Sequence, residues 1–164
     1  MRVLGITFTL LFLAVAAQAQ QPAGQAMKMF ASSSDVAALI AQAKSERKDN
    51  QAIVTKPILR LAPYNANLEY RASVGPAAVH EKEAEMFYVI DGSATLMTGG
   101  KLTKEARTNA ENLTGSGIEG GTSRAIAKGD FVIVPENTPH WFSSINGTIV
   151  LMSIHVPRSG TAAP

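Results

Sequence analysis

Cysteine is absent from all 164 residues. A disulfide framework, a zinc–thiolate site, an iron–sulfur cluster and a cysteine nucleophile are excluded with it. Charge is scarce too: 17% of residues are charged, and the formal net charge is only +2. One of those charges is Arg2, in a segment expected to be removed. No stripe of lysine and arginine stands out, so nucleic acid is not expected as a partner. No glycine-rich phosphate loop follows a strand, no G-x-S-x-G elbow occurs, and strands and helices do not alternate as in a βαβ fold. Histidine occurs three times, at His80, His140 and His155. With 46% apolar residues the chain is globular rather than disordered, and its length suits one domain with a real core.

One long apolar run is present, at the very start. Arg2 precedes Leu4 to Ala17, and Ala17-Gln18-Ala19 has the form of an A-x-A cleavage site. The run is short for a bilayer span. The expectation is a signal peptide over 1–19, a mature chain from Gln20 that is secreted or periplasmic, and no membrane contact after cleavage. An uncleaved anchor is the alternative.

Residues 20–51 read as an N-terminal extension. Gln20 to Phe30 is rich in Gln, Ala and Gly, and Ser32-Ser33-Ser34-Asp35 is a cluster of N-cap residue types. Val36, Leu39, Ile40 and Ala43 repeat at helical spacing, and Lys44, Arg47 and Lys48 suit a helix C-terminus. The pattern predicts a helix from about Asp35 to Arg47. From Ala52 the periodicity turns to that of strands: Ile53-Val54, Ile58 to Leu61, Asn67 to Val74, then Met86 to Ile90 with Ala94 to Met97 as its hairpin partner. Lys101 to Gly121 reads as a polar insertion loop with a helical turn around Lys104 to Ala110. Ser123 to Ala127 and Thr148 to Val156 read as further strands. Many short strands with Gly, Pro and Asn turns argue for an all-β sandwich or small barrel over 52–157, with a tail at 158–164.

The most informative stretch runs from Gly129 to His140. Phe131 to Val134 is aromatic or β-branched throughout, which predicts a strand buried on both faces. Pro135 stops it, Glu136 to Pro139 is a turn, and His140 opens the next strand at the mouth of a hairpin. A histidine that follows a turn with a proline on either side is a candidate ligand or base. Upstream, His80 and Glu85 are five positions apart, so a regular strand would point them to opposite faces. A turn or bulge at Glu81-Lys82-Glu83 would reset the phase and let them converge. His155 alternates with Ile154 and Val156 and is expected to be structural.

These segments resemble the paired motifs of the cupin superfamily. Glu85 and Gly92 match the first motif with six residues between them, and His80 takes its second histidine place. Gly129, Pro135 and His140 match the second motif in full register, with Asn137 where glycine is usual. The first histidine place is Ala78. The resemblance covers about Ile53 to Val156. It implies a double-stranded β-helix, a jelly-roll barrel with a site in its mouth, and one divalent metal, Fe, Mn, Zn, Ni or Co, held by His80, Glu85 and His140. It further implies a homodimer and a small-molecule ligand or substrate. The expected function is that of a metal-dependent enzyme of oxygenase, isomerase or decarboxylase type. Ala78 favours the alternative, a non-catalytic module that binds a small molecule or sugar. A third reading is a secreted partner-binding domain with an apolar-plugged barrel.

Overall fold

The computed structural model describes residues 26–158; the expected leader lies outside them. Helix α1 spans Ser33–Glu46. Ser32 caps it, its hydroxyl accepting from the Asp35 backbone N–H while the Asp35 carboxylate accepts from the Ser32 N–H. The strands are β1 (Ile53–Leu61), β2 (Tyr64–Arg71), β3 (Ala77–His80), β4 (Glu83–Thr98), β5 (Lys101–Thr103), β6 (Ala106–Arg107), β7 (Asn112–Gly115), β8 (Gly117–Glu119), β9 (Thr122–Ala127), β10 (Phe131–Val134) and β11 (His140–Pro157).

Two long strands build the jelly roll. β4 and β11 run antiparallel along nearly their whole length and bend together. Below the bend, Glu83 to Gly92 pairs with Ile149 to Pro157, and this half of the sheet continues through β2 to β1 on one side and to β10 on the other. Beyond it, Ala94 to Thr98 pairs with His140 to Ile145, flanked by β9 on one side and by β3, β7 and β6 on the other. The bend falls at Gly92, whose φ is +83°. A Cβ there would lie 2.1 Å from the Thr148 carbonyl oxygen, so glycine alone lets β11 close over β4.

The two halves enclose a core of Phe87, Val89, Leu96, Val134, Phe142, Ile149 and Leu151, all buried. A second cluster lies on the outer face. There Leu68, Tyr70, Ala66 and Val150 meet Val54, Ile58 and the α1 residue Ala43, with Val36, Leu39 and Ile40 packed against them. α1 is therefore a cover for the β1–β2 side of the sheet, as its amphipathic spacing suggested.

Four local expectations change. Met86 to Met97 is not a hairpin but one bent strand, because its two halves find partners far away in sequence. β10 and β11 are not paired with each other either: β10 pairs with β4, so the Pro135–Pro139 turn carries the chain from one half-sheet to the other. Phe131 and Ile133 are 70% and 63% exposed, so β10 is buried on one face only. The segment from Lys101 to Gly121 carries short strands rather than a helical turn: β5 pairs with β8, and β6 and β7 extend the β3 edge.

Candidate metal centre

Four strands bring their ends to one mouth of the barrel. On β4, Glu85 alternates in phase with Phe87 and Val89, so its carboxylate points into the barrel and is only 3% exposed. A buried carboxylate needs partners. Ser153, fully buried on β11, donates its hydroxyl to Glu85 Oε1 at 2.6 Å. His80 Nε2 lies 3.3 Å and His140 Nε2 3.0 Å from Glu85 Oε2. His155 Nε2 lies 3.5 Å from the other oxygen, Oε1.

Convergence of His80 with Glu85 follows from the chain break at Glu81-Lys82. β3 ends at His80 and β4 begins at Glu83, so the strand phase is reset between them. Asn137, at φ +56°, takes up the left-handed conformation that asparagine tolerates, and its N–H donates to the His80 carbonyl at 2.7 Å. The Gly99 N–H donates to the Pro139 carbonyl at 2.8 Å, fixing the approach to His140. The second-motif turn thus secures both histidines.

The outer ring nitrogens are engaged in the same way on all three imidazoles. His80 Nδ1 lies 2.6 Å from Asn112 Oδ1, His140 Nδ1 3.2 Å from the Thr138 carbonyl, and His155 Nδ1 2.9 Å from Glu83 Oε2. Each of those oxygens is an acceptor, so each Nδ1 carries a proton. In the neutral imidazole that leaves the Nε2 lone pair facing inward. Three lone pairs and a carboxylate directed at one small volume repel one another unless a cation sits among them, either protons on the rings or a metal ion. Outer acceptors that fix the tautomer of inward-facing rings are the usual surroundings of metal-ligating histidine. One ligand atom each from His80, Glu85 and His155 lies within 4.8 Å of the others. The residues fit a divalent metal with nitrogen and oxygen ligands.

Charge follows the geometry. Burial opposes ionisation of Glu85, but hydrogen bonds from His140, His80 and Ser153 outweigh it and hold the carboxyl well below its ordinary range. Burial likewise opposes the charging of His80, but hydrogen bonds to Glu85 and Asn112 raise its affinity for a proton.

His80, Glu85 and His140, the three residues selected from the sequence, come together. Ala78 lies opposite His140 in the β3–β11 pairing and offers only a methyl group. The residue that sequence reasoning missed is His155. It alternates with Ile154 and Val156, and the face it turns away from them meets Glu85, because β11 pairs His155 directly with Glu85. The signal available was its period-2 phase with Ser153 and Leu151; what faced them could not be known without the pairing partner.

The cupin family pattern matches residues 55–162. The chain belongs to the cupin family. Solved cupin-fold structures agree at the level of the fold. The DMSP lyase DddQ of Ruegeria pomeroyi is 15% identical with a TM-score of 0.52, over 83% of this chain and 68% of that one. A protein of Thermus thermophilus is 14% identical with a TM-score of 0.50, over 70% of this chain and 92% of its own. The iron(II) form of HppE is 15% identical with a TM-score of 0.50, over 66% of this chain and 53% of that one. No curated protein matches the sequence.

Proposed function

We propose that this cupin binds one divalent metal in the barrel mouth through His80, Glu85 and His140, and that it is a metal-dependent enzyme acting on a small organic molecule. The observation that carries the reading is the convergence of three imidazole Nε2 atoms, from His80, His140 and His155, on the buried carboxylate of Glu85. A bound metal would supply Lewis-acid or redox chemistry. The chain's own residues hold it: Ser153 keeps the Glu85 carboxylate in place, and Asn112 and the Thr138 carbonyl keep the rings aimed. The apolar layer of Phe87 and Phe142 beneath the site limits water from the barrel side, with the Phe87 ring 6.1 Å from that of His140. The solved structures of similar fold include a DMSP lyase and HppE in its iron(II) form. That range supports a small-molecule reaction and leaves its type to experiment. Metal analysis and titration of the mature chain beside His80→Ala, Glu85→Gln and His140→Ala tests the reading. Each variant should lose most of its affinity, and three variants that bind as well as wild type would sink it. Metal binding without turnover in a broad substrate screen would favour the non-catalytic module instead.

We also propose a homodimer through the outer sheet face. β10 pairs with β4 alone, and its outward side chains Phe131 and Ile133 lie beside Tyr88 and Met86. The Phe131 and Tyr88 rings are 4.6 Å apart. An apolar groove of about 630 Å³ continues this surface towards α1, past Tyr88, Ile90 and Met152 to Met29 and Phe30. Met29, Phe30, Phe131 and Ile133 are all at least 63% exposed. A second copy related by a two-fold axis presents the same apolar face in return.

Export completes the proposal. The charged start, the apolar run and Ala17-Gln18-Ala19 support cleavage before Gln20. N-terminal sequencing of the exported protein should begin there, and recovery of an intact Met1 start from a membrane fraction would overturn it.

A further inference from the structure

The proposed three-ligand centre has a neighbour that its motif does not account for. His155 enters from the last strand, β11, whereas Ala78 lies on β3. Its Nε2 faces Glu85 Oε1 at 3.5 Å, and its ring centroid is 4.7 Å from that of His80. Its Nδ1 is held by Glu83 Oε2 at 2.9 Å. The β4–β11 register makes this arrangement a property of the backbone: His155 is the direct partner of Glu85, with Val156 opposite Ala84 and Pro157 opposite Glu83.

We infer that His155 is a fourth metal ligand, standing in for the imidazole absent at Ala78, and that Glu83 is the positioning residue that aims it. The inference rests on the metal centre proposed above. Two observations carry it. The first is that a third ring already points its Nε2 into the site, within 4.8 Å of the ligand atoms of His80 and Glu85. The second is that the oxygen on its far side is a carboxylate, whereas His80 and His140 each have a neutral oxygen there. A carboxylate accepting from Nδ1–H fixes the tautomer and raises the basicity of Nε2, which makes the ring a stronger ligand. Glu83 is itself the first residue of β4 and sits two positions from Glu85, so one strand supplies both a ligand and the group that orients another. The centre is thereby restored to three imidazoles and one carboxylate, with the third imidazole drawn from β11 instead of β3.

The test uses the full mature chain and cobalt(II), with affinity read by titration and imidazole number by X-ray absorption. Wild type should show three imidazoles per metal and His155→Ala two, with affinity lower by 100-fold or more. Glu83→Ala should weaken binding about 10–100-fold, the effect usual for an outer-shell partner. Glu83→Gln, which keeps an acceptor oxygen, should recover part of that loss; a merely structural Glu83 would change melting temperature without this graded effect on affinity. Ala78→His in the His155→Ala background should return the third imidazole. If wild type binds cobalt and His155→Ala binds it equally with the same imidazole number, His155 is no ligand and the three-residue centre stands alone. If wild type binds no divalent metal, both this inference and the metal centre are wrong. Should His155→Ala fail to fold, Glu83→Ala carries the decision, since its side chain is one-third exposed.

Discussion

At the scale of single residues, the site is governed by how one buried carboxylate is satisfied. Glu85 would be a severe liability in an apolar barrel, and Ser153 is the partner that involves no titratable group. Ser153→Ala should destabilise the chain by roughly 1–3 kcal/mol, because a buried carboxylate oxygen loses a donor that no water replaces. Denaturant unfolding of the metal-free variant checks this, and an unchanged midpoint would mean that the hydroxyl is dispensable. Protonation sets a second expectation. Glu85 has its folded pKa depressed, so its contribution to stability is present above the unfolded value of about 4.3 and is lost as pH falls through the folded value. His80 has its folded pKa raised, so its contribution is full below about pH 6.5 and is lost as pH rises through the folded value. Chelator-treated protein should therefore be most stable between those limits. Saturating metal should remove the upper decline, because the ion takes the place of the protons. Unfolding curves from pH 4 to 9, with and without metal, report both limbs; a flat profile for the metal-free chain would contradict this account.

At the scale of elements, β4 and β11 decide the architecture. Each is long enough to serve both half-sheets, and the bend at Gly92 with the register shift between Ile145 and Ile149 lets them do so. Gly92→Ala should cost on the order of 3 kcal/mol, since the new methyl meets the Thr148 carbonyl at a backbone conformation L-residues avoid. Calorimetry measures the loss as a lower melting temperature, and a neutral result would show that β11 can shift without penalty. The long insertion between β4 and β9 has a part in the site as well. It delivers Asn112 on β7, opposite His80, and Asn109 accepts from the Asn112 side-chain amide. The Arg107–Glu81 ion pair ties this insertion to the loop that follows His80.

At the scale of the whole molecule, the open question is what lies against β10. Phe131→Asp with Ile133→Asp places two charges on the exposed face and leaves the inward Val132 and Val134 untouched. Under the dimer proposal, the double variant should halve the mass seen by light scattering at micromolar concentration while its melting profile remains cooperative. A wild type that scatters as a single chain would remove the proposal.

The sequence by itself determined what depends on neighbours in the chain. The strand-rich composition, the capped helix at Ser33–Glu46, the phase reset after His80 and the left-handed Asn137 are all local consequences of residue type and spacing. The resemblance to the cupin motifs singled out His80, Glu85 and His140 from the sequence, because motif spacing lies within single strands and turns. Only the tertiary structure decided which strands pair. Hydrogen-bonded partners in a jelly roll lie far apart in sequence, and period 2 says which residues share a face but never what that face meets. For this reason Met86 to Met97 read as a hairpin when it is one bent strand, and Phe131 and Ile133 read as buried when their outer face is open. His155 belongs with them. Its alternation was plain, but its meaning depended on Glu85 lying directly across the β4–β11 pair, a register set by the folding of the whole barrel.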